Sequence, residues 1–271
     1  NDRLHVLGGL RLAYLGIDNY SPSIARTDKT SETKVLPRFG VVYDLSPMAS
    51  VYAGYSEGMK GNPFAFYTGT PEPETSRQAE IGLKFGDEET LSGNVAAFVI
   101  ERRNTLVADP LTLGLTSIPV GEQRSRGVEL DLAWKPADRW KITSNFSIVD
   151  AQLTKDIPFG APAGTPLPFV PRQSGGLWVS YDLTDASGNG WSLGAGVHGN
   201  SSSFIWTGSA YEVPGYATAD LGIGYKLNGL TANLSIKNVF DREYFTAYEY
   251  LDGRVAKGDG RTIQFSLTNR F

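Results

Sequence analysis

Strict alternation of apolar and polar side chains restricts the fold of this chain more than any other feature of its sequence. In the closing segment GRTIQFSLTNRF, Ile263, Phe265, Leu267 and Phe271 share one parity, and the other parity is polar. A two-residue period places successive side chains on opposite faces of a β-strand. The segment therefore predicts a strand with one apolar and one wet face, although a soluble sheet that buries one face shows the same period.

The same period recurs along the whole chain. It predicts about twelve strands, of which those at 4–17, 49–57, 91–102 and 140–152 are less regular. In 91–102 apolar residues occupy both parities, so the pattern does not assign the faces of that strand. No stretch has the period of a long amphipathic helix, and no apolar run approaches the ~20 residues that a membrane-spanning helix requires.

The predicted connections alternate between short and long. Tight turns fall at SPM, GDEE, KPADR, DASGNG and LNG, and longer segments fall at 18–33, 57–75, 103–123, 153–169, 201–215 and 241–259. Membrane barrels have short turns on one side of the bilayer and long loops on the other. A soluble sandwich does not account for this alternation, so the pattern favours an all-β, transmembrane, antiparallel up-and-down β-barrel.

Aromatic residues of the apolar parity flank the tight turns. They are Tyr43, Phe85, Trp134, Trp140, Tyr181, Trp191 and Tyr225. Amphipathic rings favour the depth of the lipid headgroups, so these residues predict one interfacial girdle, in which Phe271 would end the last strand.

Charged residues belong to the polar parity, which in a barrel faces a water-filled lumen. They include Arg38, Asp44, Glu80, Lys84, Glu129, Asp131, Lys141, Arg172, Asp220 and Lys237. Glu129 and Asp131 lie two apart on one strand face, and we interpret them as lumen wall rather than as an acid–base pair.

Other classes of site have little support in the sequence. The chain has no cysteine, which excludes disulfides and thiolate zinc sites, and its formal charge of -4 offers no basic patch for nucleic acid. His5 and His198 are the two histidines and lie far apart in the sequence. A hydrolase that pairs His198 with Ser201 or Ser202 is a third hypothesis, and we expect no such activity.

Several segments resemble a known family. SRGVELDLAWKPADRW, YATADLGIGYKL, LSIKNVFDREYF and FSLTNRF are similar to the C-terminal barrel segment of TonB-dependent siderophore receptors, especially the ferrichrome and ferric-hydroxamate group. PETSRQAEIGLKFG, RNTLVADP and PRFGVVYDLSPMASVYAGYSEGM extend the resemblance over nearly the whole chain. It implies a receptor in the outer membrane of a Gram-negative bacterium, surrounded by lipid, that binds a ferric siderophore and is energised by the TonB complex through a plug domain. The terminal aromatic resembles the signal read by the barrel-assembly machinery.

The chain departs from that family in one respect. Family members carry a plug and a TonB-contacting box before a barrel of about 22 strands, and neither is recognisable here. We therefore interpret residues 1–271 as the C-terminal portion of the barrel domain, with strand edges at 4–17 and 261–271. Transport by this chain alone is not expected. A self-contained twelve-stranded channel for passive diffusion of small solutes is the alternative.

The predicted ligand contacts are aromatic residues of the long segments. A ferric siderophore brings its iron already wrapped by its own oxygens, so the receptor needs neither metal ligands nor a cofactor, only aromatic and hydrogen-bonding groups. The candidates are Phe245, Tyr248, Tyr250, Trp206, Phe204 and Tyr67. Of these, Phe245, Tyr248 and Tyr250 follow from the resemblance. Packing between neighbouring loops is the alternative role for each aromatic.

Overall fold

The computed structural model describes residues 2–21, 26–61, 72–87, 89–108, 112, 116–158, 160–248 and 254–270. These residues form sixteen strands. In chain order the strands are β1 (Leu4–Ser21), β2 (Arg26–Ser46), β3 (Ala49–Lys60), β4 (Glu74–Gly86), β5 (Leu91–Ala108), β6 (Ser117–Trp134), β7 (Trp140–Leu153), β8 (Gln173–Thr184), β9 (Gly190–Asn200), β10 (Ser203–Phe204), β11 (Glu212–Val213), β12 (Tyr216–Leu227), β13 (Leu230–Lys237), β14 (Phe245–Tyr248), β15 (Arg254–Lys257) and β16 (Thr262–Asn269).

Twelve of these strands form one antiparallel sheet, which confirms the predicted up-and-down topology. Its order is β1-β2-β3-β4-β5-β6-β7-β8-β9-β12-β13-β16, so each strand pairs with the next sheet strand along the chain. The pairs β10–β11 and β14–β15 form two separate short ribbons. Within the described residues β1 and β16 are the two edges, and the sheet is not closed. No helix in this part of the chain is long and apolar enough to cross a bilayer.

Register keeps the apolar parity on one face, which we call the outer face. Val95 lies opposite Leu130, and Leu130 lies opposite Phe146 on the next strand. Many large apolar side chains on this face are exposed, including Leu10 at 74% and Phe265 at 66%. An apolar surface that extends across so many strands marks a membrane or protein contact. The chain therefore has the outer skin that the alternation predicts.

The faces of 91–102, which the alternation left unassigned, follow from pairing on both sides. Val95 and Ala97 lie opposite Leu83 and Ile81, which places them on the outer face. The other parity includes the apolar residue Phe98, which packs on the inner face. A Cβ built on Gly127 would lie 3.0 Å from the Phe98 ring. This strand therefore carries apolar residues on both faces, exposed on the outer face and packed at Phe98 on the inner face.

The outer face changes from apolar to charged at a common height, on the side away from the tight turns. Register aligns Glu57 with Arg77 and Arg77 with Glu101, and Arg77 forms an ion pair with Glu101. Arg126 pairs with Asp150 at 2.9 Å one step nearer the apolar band. The charged row marks the upper limit of the surface that can meet hydrocarbon.

The strands extend beyond this row, so the predicted bounds of several long connections are wrong. β1 ends only at Ser21 and β2 already begins at Arg26, so both strands extend well into the segment 18–33. Within this extension Asp18 binds Lys29 at 2.9 Å. β3 to β6 likewise extend into 57–75 and 103–123. In these extensions the backbone pairing between strands continues after the apolar alternation has ended, and side chains such as Asp18 and Lys29 form ion pairs across it.

The tight turns are confirmed, and aromatic residues of the predicted girdle pack against one another beside them. Trp140 packs on Tyr181, and Trp191 packs on Tyr225, each with ring centroids 4.7 Å apart. The LNG turn has positive φ at both Asn228 (47°) and Gly229 (88°), as a two-residue hairpin with the right-handed twist of its strands requires. Phe271, the predicted end of the girdle, lies outside the described residues.

One tight turn is organised by a carboxylate. Asp87 accepts hydrogen bonds from the backbone of Thr90 (2.6 Å) and Glu89 (2.8 Å) and from the Thr90 hydroxyl. The backbone and hydroxyl bonds from Thr90 hold the pKa of Asp87 below its ordinary value, because they favour the charged carboxylate.

Candidate ligand-binding surface

The inner face carries the charged parity as predicted, and its side chains bind one another across strands. His5 Nε2 lies 3.0 Å from the Asp44 carboxylate, and the Ser50 hydroxyl donates to the same carboxylate at 2.5 Å. On the next pair of strands the Tyr52 hydroxyl donates to Glu80 at 2.7 Å. The inner wall is therefore polar and cross-linked, which suits contact with water or with a polar partner rather than with lipid.

This inner face is concave. A cavity of about 760 Å³ is lined by residues from Met48, in the turn after β2, to Asp220 on β12. Trp178 provides its main aromatic surface. A Cβ built on Gly194 or Gly196 would collide with the Trp178 indole, so the ring lies flat over glycine backbone. One face of the indole is thereby held against the wall, and the alternation of the sequence did not indicate this arrangement.

His198, the proposed partner of Ser201 and Ser202, makes different contacts. Its Nε2 lies 3.1 Å from the Thr218 hydroxyl and its Nδ1 lies 3.5 Å from the Asp220 carboxylate. The Ser201 hydroxyl instead accepts from the backbone of Gln173 and donates to the carbonyl of Ser202. The serine–histidine pairing that the hydrolase hypothesis requires is not made. Within the described ranges no group of three or more His, Asp or Glu side chains could hold a metal ion.

On the side away from the tight turns, residues 154–158 and 160–172 fold back over the end of the sheet. Leu153 is 1% exposed, and the backbone of Leu167 donates to the carbonyl of Ala151. Phe169 donates through its backbone to Phe204 at 3.0 Å, which ties this segment to the β10–β11 ribbon. Phe169 has φ of 63°, a strained conformation for a bulky residue.

A second cavity, of about 870 Å³, lies where these segments meet. Phe98, Arg172, Ser203, Phe204 and Glu212 are among the residues that line it. The lining combines aromatic surface, a guanidinium, a hydroxyl and a carboxylate. Such a set can pack against and hydrogen-bond an organic chelate without binding its metal directly.

The structure brings two of the predicted aromatic segments together. Phe204 lines the second cavity, and Trp206 is 41% exposed with its ring 6.2 Å from that of Tyr211. Phe245 is the first residue of β14, which lies in contact with β11. Residues 201–215 and the β14–β15 ribbon are therefore neighbours at one end of the wall.

The remaining predicted contacts stay predictions. The backbone of Tyr248 lies in β14, but its side chain is not among those described. Tyr67 and Tyr250 lie outside the described residues.

Sequence reasoning missed the aromatic pair at the base of the β14–β15 ribbon. Tyr244 stacks on Tyr216, with centroids 4.1 Å apart and planes at 26°. Beside them Lys257 donates to Glu243 at 2.6 Å, and this hydrogen bond raises the pKa of Lys257 above its ordinary value. Both tyrosines belong to segments that were quoted for the family resemblance, so the only signal was their position in those motifs.

Comparisons with known proteins agree with this geometry. A family described as TonB dependent receptor-like, beta-barrel, matches residues 1–239. The metal-pseudopaline receptor CntO of Pseudomonas aeruginosa is 30% identical over 251 residues, which cover 89% of this chain and 34% of that protein. The ferrichrome outer membrane transporter/phage receptor of Escherichia coli is 28% identical and is matched over 90% of this chain and 33% of its own length.

A solved structure shows the same fold. The ferric yersiniabactin uptake receptor FyuA of Yersinia pestis matches 100% of this chain and 44% of its own chain with a TM-score of 0.81 at 22% identity. This chain spans about a third of the length of the curated relatives it matches.

Proposed function

The chain belongs to the TonB-dependent receptor β-barrel family, and from this premise we propose that it forms part of the wall of a receptor for ferric siderophores. Its relatives are outer-membrane receptors and transporters of Gram-negative bacteria rather than enzymes, and its place is the same membrane. The observation that carries the proposal is the two-faced wall, which has a continuous apolar outer face, a polar inner face and aromatic segments at one end. In this arrangement the outer face meets lipid, and the segment that ends at Phe271 is read by the barrel-assembly machinery.

We propose residues 1–271 as the C-terminal portion of the barrel domain of a longer receptor. A wall in lipid must pair all its backbone groups, so the free edges of β1 and β16 require further strands. β1 has 18 residues and β16 has 8. If the two edges paired with each other, more than half of β1 would remain unpaired. This inequality disfavours the alternative, a self-contained twelve-stranded channel for small solutes.

The ligand class follows from the relatives taken together. They are named as receptors for metal-pseudopaline, ferrichrome and ferrioxamine B, all of which are metal chelates. We propose that the chelate rests against Phe204, Trp206 and Phe245, with Tyr67, Tyr248 and Tyr250 as further contacts. A ferric-hydroxamate chelate is the narrower form of the proposal, supported by the relatives named for ferrichrome and ferrioxamine B. Iron enters as cargo inside the chelate, and no resident cofactor is part of the proposal.

The partner that supplies energy is the TonB complex, acting through a plug domain. The polar inner wall supports this part of the proposal. Its cross-linked carboxylates and hydroxyls, such as Asp44 with Ser50 and Glu80 with Tyr52, offer hydrogen-bonding surface to a folded plug.

Binding and uptake measurements test this function. The receptor that contains this chain should bind at least one of ferrichrome, ferrioxamine B and metal-pseudopaline saturably, and its uptake of that chelate should require TonB. The iron-free chelators and free ferric ion serve as controls. Failure to bind any chelate, together with steady ion conductance by residues 1–271 alone in planar bilayers, would establish the channel alternative instead.

A further inference from the structure

A single buried amide joins the β12–β13 hairpin to the segment that carries β14 and β15. Asn238 follows β13, is 5% exposed and has φ of 49°. Its backbone N–H donates to the Asp220 carboxylate at 2.8 Å. Its side-chain oxygen accepts from the backbone of Arg242 at 2.9 Å, and its side-chain nitrogen donates to the carbonyls of Arg242 (2.9 Å) and Asp259 (3.1 Å). All the polar groups of the amide are used, and their partners lie on both sides of the β14–β15 ribbon.

Neighbouring contacts strengthen the same junction. Asp241, also in the left-handed region with φ of 53°, accepts from the backbone of Arg261 at 2.7 Å. The Arg242 guanidinium donates to the carbonyl of Ala217 at 3.2 Å, which anchors the segment to β12. Residues before and after the ribbon are thereby held at one place on the wall.

The junction also sets the base of the ribbon. Tyr244 stacks on Tyr216, its carbonyl accepts from the backbone of Gly258 at 2.8 Å, and Gly258 has no room for a Cβ beside the Tyr244 ring. Phe245 follows directly and begins β14. The position of this aromatic ribbon relative to β11 therefore depends on the bonds made by Asn238.

We propose that Asn238 is a positioning residue for the ligand-binding end of the wall. It holds the β14–β15 ribbon beside residues 201–215, so that the aromatic side chains of both segments converge. The effect on ligand affinity rests on the proposed function, in which this ribbon contacts the chelate. The positioning itself does not depend on that function.

The chemistry of the junction requires asparagine specifically. Glycine would keep the left-handed backbone conformation and lose all three side-chain bonds. Aspartate tolerates the same backbone and retains the acceptor for the Arg242 N–H, but it cannot donate to the carbonyls of Arg242 and Asp259. N238D and N238G therefore both remove the two donated bonds while each residue still tolerates the left-handed backbone, and N238D in addition sets a buried carboxylate against the two carbonyls.

Spin-label distances test the positioning. Because the chain has no cysteine, labels can be placed by A256C on β15 and A137C in a tight turn at the opposite end of the wall. The unsubstituted junction should give one narrow distance, N238G should shift or broaden it, and N238D should do so at least as strongly, because its carboxylate would face two carbonyl oxygens. N228G is the matched control, since Asn228 also has positive φ (47°) but lies in the turn at the far end of the same hairpin.

Two further measurements separate the possible failures. A label pair at Ala137 and Ala186, both in tight turns, should report the same distance in every variant, which shows that the wall is intact. The dissociation constants for ferrichrome and ferrioxamine B should rise about tenfold in N238G and remain unchanged in N228G. An unchanged A256C–A137C distance in N238G overturns the positioning. A shifted distance with no chelate bound by any form supports the positioning and refutes the proposed function.

Discussion

The placement of lipid on the apolar outer face is tested most directly by a charge at the middle of the band. On β6 the outer face runs from Trp134 at the tight turn through Leu130 to Arg126, which pairs with Asp150. Leu130 is four residues from each limit, about 14 Å along the strand at ~3.4 Å per residue and about 10 Å in height at a tilt of ~40°. It therefore lies at the midplane of the band.

Leu130→Arg should destabilise the inserted wall by about 2 to 4 kcal/mol, the cost of an arginine at the bilayer midplane of a barrel. That corresponds to a decrease of roughly 30- to 900-fold in the ratio of folded to unfolded protein. Val128→Arg, two residues nearer the charged row, should cost less. Glu129→Arg places the same side chain on the adjacent inner-face position, in water, and should cost little.

The assay is equilibrium unfolding by denaturant in phospholipid vesicles, followed by tryptophan fluorescence and by resistance to unfolding in detergent on gels. The reasoning is refuted if Glu129→Arg costs as much as Leu130→Arg, since that would place both parities in the same environment. A flat profile across Leu130 and Val128 would refute the assigned depth of the band.

Three other perturbations address the turn, the inner wall and the ligand surface. The lowered pKa of Asp87 stabilises the folded state above the ordinary value of 3.8, and this contribution is lost as pH falls through the lower folded-state pKa. Asp87→Asn should therefore lower the thermal midpoint at pH 7, and this loss should shrink as pH falls below 3.8; a loss that does not change with pH would contradict the assignment. Gly196→Val should cost about 1 to 3 kcal/mol in denaturant unfolding because it displaces Trp178, whereas Gly9→Val, where nothing lies within 4 Å of a new Cβ, should cost much less. Tyr248→Ala should weaken chelate binding about tenfold with unchanged yield of assembled receptor, and unchanged affinity would remove Tyr248 from the contact surface.

The period-two alternation was sufficient to predict the sheet because the apolar parity and the polar parity can both be seen within a single strand. Each strand carries its own apolar and polar parity, so twelve strands, their faces and the girdle could be derived without knowledge of pairing. The exception shows the limit. In 91–102 the ring of Phe98 packs on the inner face over Gly127, a contact across strands that a single strand cannot reveal.

The strand ends could not be derived for the same reason. Asp18 and Lys29 lie in a stretch without apolar alternation, and the stretch is a strand because the backbone ladder between β1 and β2 continues through this pair. At the ligand surface the sequence indicated aromatic residues in 201–215 and 241–259 but not which of them converge. The stack of Tyr244 on Tyr216 and the bonds of Asn238 depend on the fold of the whole hairpin.

The different chemistry of the two faces of the sheet explains why the family of this chain is easier to recognise than its ligand. The outer parity is apolar and exposed, and the inner parity is polar and cross-linked; on the proposed function both faces serve the barrel rather than a particular ligand. On the proposed function, the segments beyond the charged row are where a chelate would be distinguished. The overall identities to a metal-pseudopaline receptor (30%) and to a ferrichrome transporter (28%) are similar although the two relatives are named for different chelates, so overall identity does not separate the ligands. On the proposed function, the physical basis of ligand choice lies in how residues 201–215 and the β14–β15 ribbon are placed beside each other, and the junction of Asn238 holds the ribbon in that place.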